Sequence, residues 1–159
     1  MPEIIQIYTD GSAHYKTQYG AWAFIVVWGE GKEVGQSGPM ENTTNNRAEL
    51  EAVCAALHYI LGVGNTSVHY EVVTDSEYVR NGAVSWRKGW KSKAWKNVKN
   101  RDIWERLDRV LDMLPALGFH VSFSWVRGHN GNKYNEQVDK LAHNTFNQLS
   151  LSKNAEQQP

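Results

Sequence analysis

Apolar residues recur along this chain with two different periods. Ile5 and Ile7 alternate with Gln6 and Tyr8, which predicts a half-buried strand over 3–10. "YGAWAFIVVW" (Tyr19 to Trp28) predicts a second strand, and "GEG" turns it into a third near 32–37. After the cap-rich stretch "NTTNN" the spacing changes to three and four residues at Leu50, Val53, Cys54, Leu57, Ile60 and Leu61, the stripe of a helix that Gly62 and Gly64 stop. "SVHYEVVT" predicts a strand over 67–74, followed by short helices through Lys91. Ile103, Trp104, Leu107, Val110 and Leu111 place a helix over 101–114, closed by Pro115 and Gly118. "FHVSFSWV" is the last strand, 119–126. The Gly/Asn-rich loop "RGHNGNKYN" leads into a helix over 135–148 that carries Val138, Leu141, Ala142, Thr145 and Phe146 on one face. The expected domain covers 1–148, with 149–159 a disordered polar tail. The order of elements predicts an α/β fold: a five-stranded mixed sheet with helices on its faces, its first three strands antiparallel and the later ones parallel.

Composition adds few constraints. At 159 residues and 41% hydrophobic the chain has material for one folded domain, and no apolar run reaches the length of a membrane span. No signal peptide is visible, and the single cysteine, Cys54, sits among apolar neighbours, which fits a reducing cytoplasm.

Two of the strands end on an acid: Asp10 after "IYT" and Asp75 after "VVT". Asp-Gly is a common turn dipeptide, so Asp10 alone reads equally as a turn. Two carboxylates at neighbouring strand ends, however, repel each other unless cations sit between them. Glu49, near the start of the first long helix, is either a dipole-favoured acid or a third ligand. Asp139, at the edge of the apolar stripe of the last helix, is either a solvated acid or a fourth. Four carboxylates without a Cys/His set suit a hard cation, Mg2+ or Mn2+ rather than Zn2+. Acids of this kind hold paired ions that clamp both sides of a phosphodiester.

The blocks "YTDGSA", "TTNNRAELEAV", "VVTDSEYVRNG" and "SWVRGHNGNKYNEQVDKLA", in this order, resemble the signature segments of type 1 ribonuclease H over roughly 3–147. The resemblance implies the ribonuclease H-like fold, two catalytic Mg2+ ions for which Mn2+ substitutes, and an endonuclease that cuts the RNA strand of RNA–DNA hybrids to leave 5′-phosphate and 3′-hydroxyl ends. It implies Asp10, Glu49, Asp75 and Asp139 as metal-binding catalytic acids. His129 would assist with water activation or product release. Gly11, Ser12, Thr44, Asn45, Asn46, Arg47 and Asn135 would contact the substrate, with Gly11 letting a nucleic-acid backbone come close. A cytoplasmic monomer is expected.

Formal net charge is zero, yet seven of the 17 basic residues fall in the acid-free run "WRKGWKSKAWKNVKNR" (Trp86 to Arg101). Lysines interleaved with tryptophans suit phosphates and sugars. The alternative is an amphipathic helix with core tryptophans and solvated lysines. The resemblance makes this run the family's basic protrusion, with Trp86 and Trp90 near the DNA strand and Lys91, Lys93 and Lys96 on phosphates. Departures from the family pattern are the loop "SAHYKTQYG", which lacks the usual glycines, Asn42 in place of a basic residue, Gly89 in place of Asn, and a short protrusion. Competing readings are a DNA-directed recombinase, transposase or resolvase on the same fold, a non-catalytic hybrid-binding module, and a nuclease domain cut from a longer polyprotein.

Overall fold

The computed structural model describes residues 2–29, 31–128 and 131–157. Its strands are β1 (Ile4–Ala13), β2 (Gly20–Gly29), β3 (Lys32–Met40), β4 (His69–Thr74) and β5 (His120–Trp125). They form one sheet in the order β3-β2-β1-β4-β5. The first three pair antiparallel as expected, and β4 pairs parallel with both β1 and β5.

Helix α1 (Asn45–Val63) is capped by Thr44, whose side-chain oxygen accepts from the backbone N–H of Arg47 at 3.3 Å. It lays Leu50, Val53, Cys54, Leu57 and Ile60 on one face of the sheet, with Gly62 inside the helix and Gly64 at its end. Helix α4 (Arg101–Ala116) packs beside it through Ile103, Trp104, Leu107 and Leu114, all fully buried. The two helices and the sheet enclose the larger core. The opposite face is covered by α5 (Lys133–Glu156) alone, over a smaller core of Tyr8, Ala23, Ile25, Val73, Val138 and Ala142. Tyr8 is therefore buried, and β1 is covered on both faces rather than half-buried.

Helix α5 also runs on through Glu156, where a disordered polar tail was expected from 149. "SLSKNAE" contains no glycine or proline, and Lys153 ties the extension down by an ion pair with Glu41 at 2.9 Å.

Between β4 and α4 the chain makes a helical rod. Helix α2 (Glu77–Asn81) passes through a wide π-helical turn (Gly82–Trp86) into α3 (Arg87–Ser92). The rod crosses α4 at Gly82, where a Cβ would lie 2.1 Å from the Trp104 ring. After α3 the backbone enters the left-handed region at Ala94, Trp95, Asn97 and Asn100, while the Trp95 side chain buries itself.

Gly82→Ala is expected to lower stability by about 1–3 kcal/mol, because the fully buried Trp104 has no free volume to move into. Urea denaturation of parent and variant measures this; equal midpoints would show that the crossing can open.

Candidate active site

The parallel pairing of β1 with β4 brings the two acids together. Asp75 directly follows β4, whereas Asp10, expected at the end of β1, lies inside it, because β1 runs on to Ala13 and pairs Asp10 with Ala23 of β2. The register advances in step from Ile4↔His69 to Tyr8↔Val73. Continued two residues further, it sets Asp10 beside Asp75, one strand spacing apart. Both follow fully buried threonines, Thr9 and Thr74, so their backbones are fixed by the sheet interior. Trp125, at the end of β5, donates its indole N–H to the Asp75 backbone carbonyl at 3.0 Å. A Cβ at Gly128 would stand 3.1 Å from Asp75 Oδ2, so the loop after β5 lies against this carboxylate.

Glu49 arrives from α1. A Cβ on Gly11 would fall 2.2 Å from the carbonyl carbon of Ala48 and 2.4 Å from the Glu49 nitrogen. The space a side chain would need at this position is therefore filled by the α1 backbone. That contact brings one oxygen each of Asp10, Glu49 and Asp75 within 4.8 Å of one another. Asp139, on α5, stands outside this triad but hydrogen-bonds to the Asp10 carboxylate.

The electrostatics show like charges crowded into a buried position. Burial first, then the hydrogen bond and charge of Asp139 and the charge of Asp75, push the Asp10 carboxyl up to about 7, against an opposing hydrogen bond from Glu49. Glu49 is raised well above the usual carboxylate range by burial and by the charges of Asp10 and Asp75, with the Gly11 N–H pulling the other way. Its Oε2 is buried and has no hydrogen-bond partner. A buried, orphaned carboxylate oxygen beside two further acids fits a hard divalent cation bound through oxygen.

The remaining expected site residues fall into different settings. Ser12 is half-buried just past Asp10. Asn45 Oδ1 accepts the backbone N–H of Ala13 at 2.7 Å, and Asn46 is exposed in the first turn of α1. Arg47 makes a bidentate pair with Asp102 (2.9 and 2.7 Å), so it ties α1 to α4. This pair holds the Asp102 carboxyl down to about 2. Asn135 is buried in the first turn of α5. His129 lies outside the described residues.

The tryptophan run divides between core and surface. Trp95 is buried, and Trp90 packs against it and edge-on against Trp104, with centroids 5.1 Å apart in the latter pair. Trp86 is 41% exposed. Lys88, Lys93, Lys96 and Lys99 point to solvent and have no ion pair among the described residues. Arg87 and Lys91, by contrast, are paired with Asp108 and Asp112 on α4. Sequence reasoning missed these two acids, together with Trp125 and Gly128. The spacing of four on each helix was readable, but their facing was not.

The profile of the RNase H family matches residues 2–147. A ribonuclease H from Phenylobacterium zucineum is 37% identical over 159 residues, covering 97% of each chain. One from a Cyanothece species is 40% identical over 145 residues, covering 88% of this chain and 87% of the relative. Among solved structures, LC9-RNase H1, a type 1 RNase H with the type 2 active-site motif, superposes with a TM-score of 0.75 at 25% identity, covering 92% of this chain and 74% of that one. RNase H1 from Halobacterium salinarum has a TM-score of 0.67 at 23% identity, covering 91% of this chain and 98% of that one, and shows the shared fold.

A carboxyl raised in the folded state holds its proton there while the unfolded chain has released it. In chelator-treated protein, stability is therefore expected to fall as pH rises from about 4, the unfolded value, through about 7, the folded value for Asp10. Asp10→Asn should flatten that slope and gain on the parent at neutral pH, while losing the stabilisation that added Mg2+ gives the parent. Denaturation midpoints across pH, with chelator and with Mg2+, test both; parallel pH curves for the two proteins would mean that the triad carries no uncompensated charge.

Proposed function

Because the chain belongs to the ribonuclease H family, whose activity is directed at RNA–DNA hybrids, we propose that it cuts the RNA strand of such hybrids by a two-metal mechanism with Mg2+. The products carry 5′-phosphate and 3′-hydroxyl ends. The observation that carries this reading is the convergence of Asp10, Glu49 and Asp75 around the unpartnered Oε2 of buried Glu49.

Asp10, Glu49, Asp75 and Asp139 would hold the cations. Bound there, the metals supply an activated water and neutralise charge on the phosphodiester. The protein's own contribution is placement. The interior of β1 fixes Asp10, the end of β4 fixes Asp75, and the α1 contact over Gly11 fixes Glu49, so the carboxylates need little reorganisation when substrate arrives. Asp139 reaches the group through Asp10 from the other side of the sheet. His129 would assist with water or product without being a metal ligand. Ser12, Asn45 and Asn46 border the acids and would read the RNA strand through its 2′-hydroxyls. Exposed Trp86 and the free lysines 88, 93, 96 and 99 would grip the DNA strand. Among the described residues no helix is long and apolar enough to cross a membrane. We place the protein in the cytoplasm as a monomer.

A labelled hybrid incubated with and without Mg2+, beside a DNA duplex of the same sequence, tests the proposal. Cleavage of the RNA strand alone, dependent on Mg2+ and absent in Asp10→Asn, is expected. Equal cutting of the DNA duplex would transfer the site to a DNA nuclease. His129→Ala should lower kcat yet leave measurable turnover; complete loss would make His129 essential to the chemistry.

A further inference from the structure

The basic rod carries a feature that its lysine content conceals. Arg87 and Lys91 sit one turn apart on α3, facing Asp108 and Asp112 one turn apart on α4. Arg87 Nη1 donates to Asp108 Oδ1 at 2.7 Å and to Asp112 Oδ1 at 2.8 Å. Lys91 Nζ lies 2.5 Å from Asp112 Oδ2 and 3.1 Å from Asp108 Oδ2. Each carboxylate thus bridges both cations. The two halves of the square differ in exposure: the side chains of Arg87 and Asp108 are 14% and 5% exposed, those of Lys91 and Asp112 52% and 47%. The inner pair is a buried anchor that joins rod to α4, and Arg87 adds a bond from Nε to the Ala83 carbonyl at 3.0 Å. The outer pair stands in water at the edge of an open cleft of about 610 Å3, whose lining also includes Glu105, Arg109 and Trp95.

We infer that Asp112 is an affinity-setting residue for nucleic acid: it occupies Lys91 in the free protein where a backbone phosphate sits in the complex, and binding exchanges one anion for the other. This rests on the reading of the rod as the hybrid-binding surface. A carboxylate and a phosphate offer a lysine the same thing, an anionic oxygen at hydrogen-bond distance. Asp112 therefore competes with the substrate, and once displaced it repels the incoming phosphate, as does Glu105. Asp108 is too deeply buried to leave, so the exchange is confined to the outer pair. The consequence is a basic run, Trp86 to Arg101, that grips less tightly than its seven basic residues would allow, with exposed lysines 88, 93, 96 and 99 unpaired among the described residues.

The test is a double-mutant cycle on the full chain: parent, Asp112→Asn, Lys91→Ala and the double variant, with hybrid Kd measured across a salt series in chelator. Asp112→Asn is expected to bind roughly two- to fivefold more tightly at low salt, the size of one exposed ion pair. The salt slope should steepen by up to about 0.9, the equivalent of one added phosphate contact. In the Lys91→Ala background the same substitution should change neither quantity. An unchanged Kd for Asp112→Asn overturns the inference, as does a gain that persists without Lys91, which would reduce Asp112 to a general contributor of negative charge. Thermal melts of the four proteins separate either outcome from a rod that has come loose: a lowered melting temperature with weakened binding in Asp112→Asn also overturns it, by making Asp112 a structural anchor like Asp108. If the parent fails to bind the hybrid at all, it is the assignment of the substrate that falls.

Discussion

The structure depends on the placement of like charges beside one another in a buried position. Parallel pairing of β1 with β4 leaves no freedom in where Asp10 and Asp75 end up, because the register that buries Ile5, Ile7, Tyr70 and Val72 also aligns the two acids. Hydrophobic burial is thus the force that holds the carboxylates together against their repulsion. The core beneath them is larger than the cost of the cluster, which is why the site can carry an orphaned oxygen at Glu49 and still fold. The electrostatic penalty of bringing Asp10, Glu49 and Asp75 together is thus met by packing elsewhere.

The two faces of the sheet serve this arrangement differently. On the α1 side, close approach over Gly11 is a matter of sterics: any side chain there would displace the helix that carries Glu49. On the α5 side, a small core around Tyr8 and Val138 brings Asp139 toward Asp10. Glu49 and Asp139 therefore come from layers on opposite sides of the sheet, and they converge on Asp10 and Asp75, which the two central strands supply.

Much of this was legible in the chain, for physical reasons that differ by element. The alternation in β1 and the three-four stripe of α1 report burial directly, and the repeated pattern of strand, threonine and aspartate marked Asp10 and Asp75 before any fold was known. What stayed hidden was pairing across long separations. Nothing local to Arg47 indicates that it pairs with Asp102 on α4, and nothing in "WRKGWK" indicates that two of its cations are met by α4. Tyr8 read as half-buried because β1 shows its period clearly, but the covering by α5 is a property of the whole sheet. The end of α5 was misjudged because a polar stretch without an apolar stripe gives no periodic signal, although it also contains nothing that breaks a helix. Gly11 was noticed for its missing side chain, but its close contact with the α1 backbone was not legible.

The π-helical turn at Gly82–Trp86 has a consequence for how this region tolerates change. A wide turn holds about one residue more than an α-helical one, and each residue rotates the following helix by about 100°. Everything after the turn is aimed by that extra residue, including Arg87 and Lys91, which face α4. Deleting a single residue there would keep a continuous helix with the same composition, yet swing the basic face around the rod and leave Asp108 buried without its arginine. The segment is therefore sensitive to its length as well as to the missing side chain at Gly82, and a shortened version would be a well-formed helix presenting the wrong side.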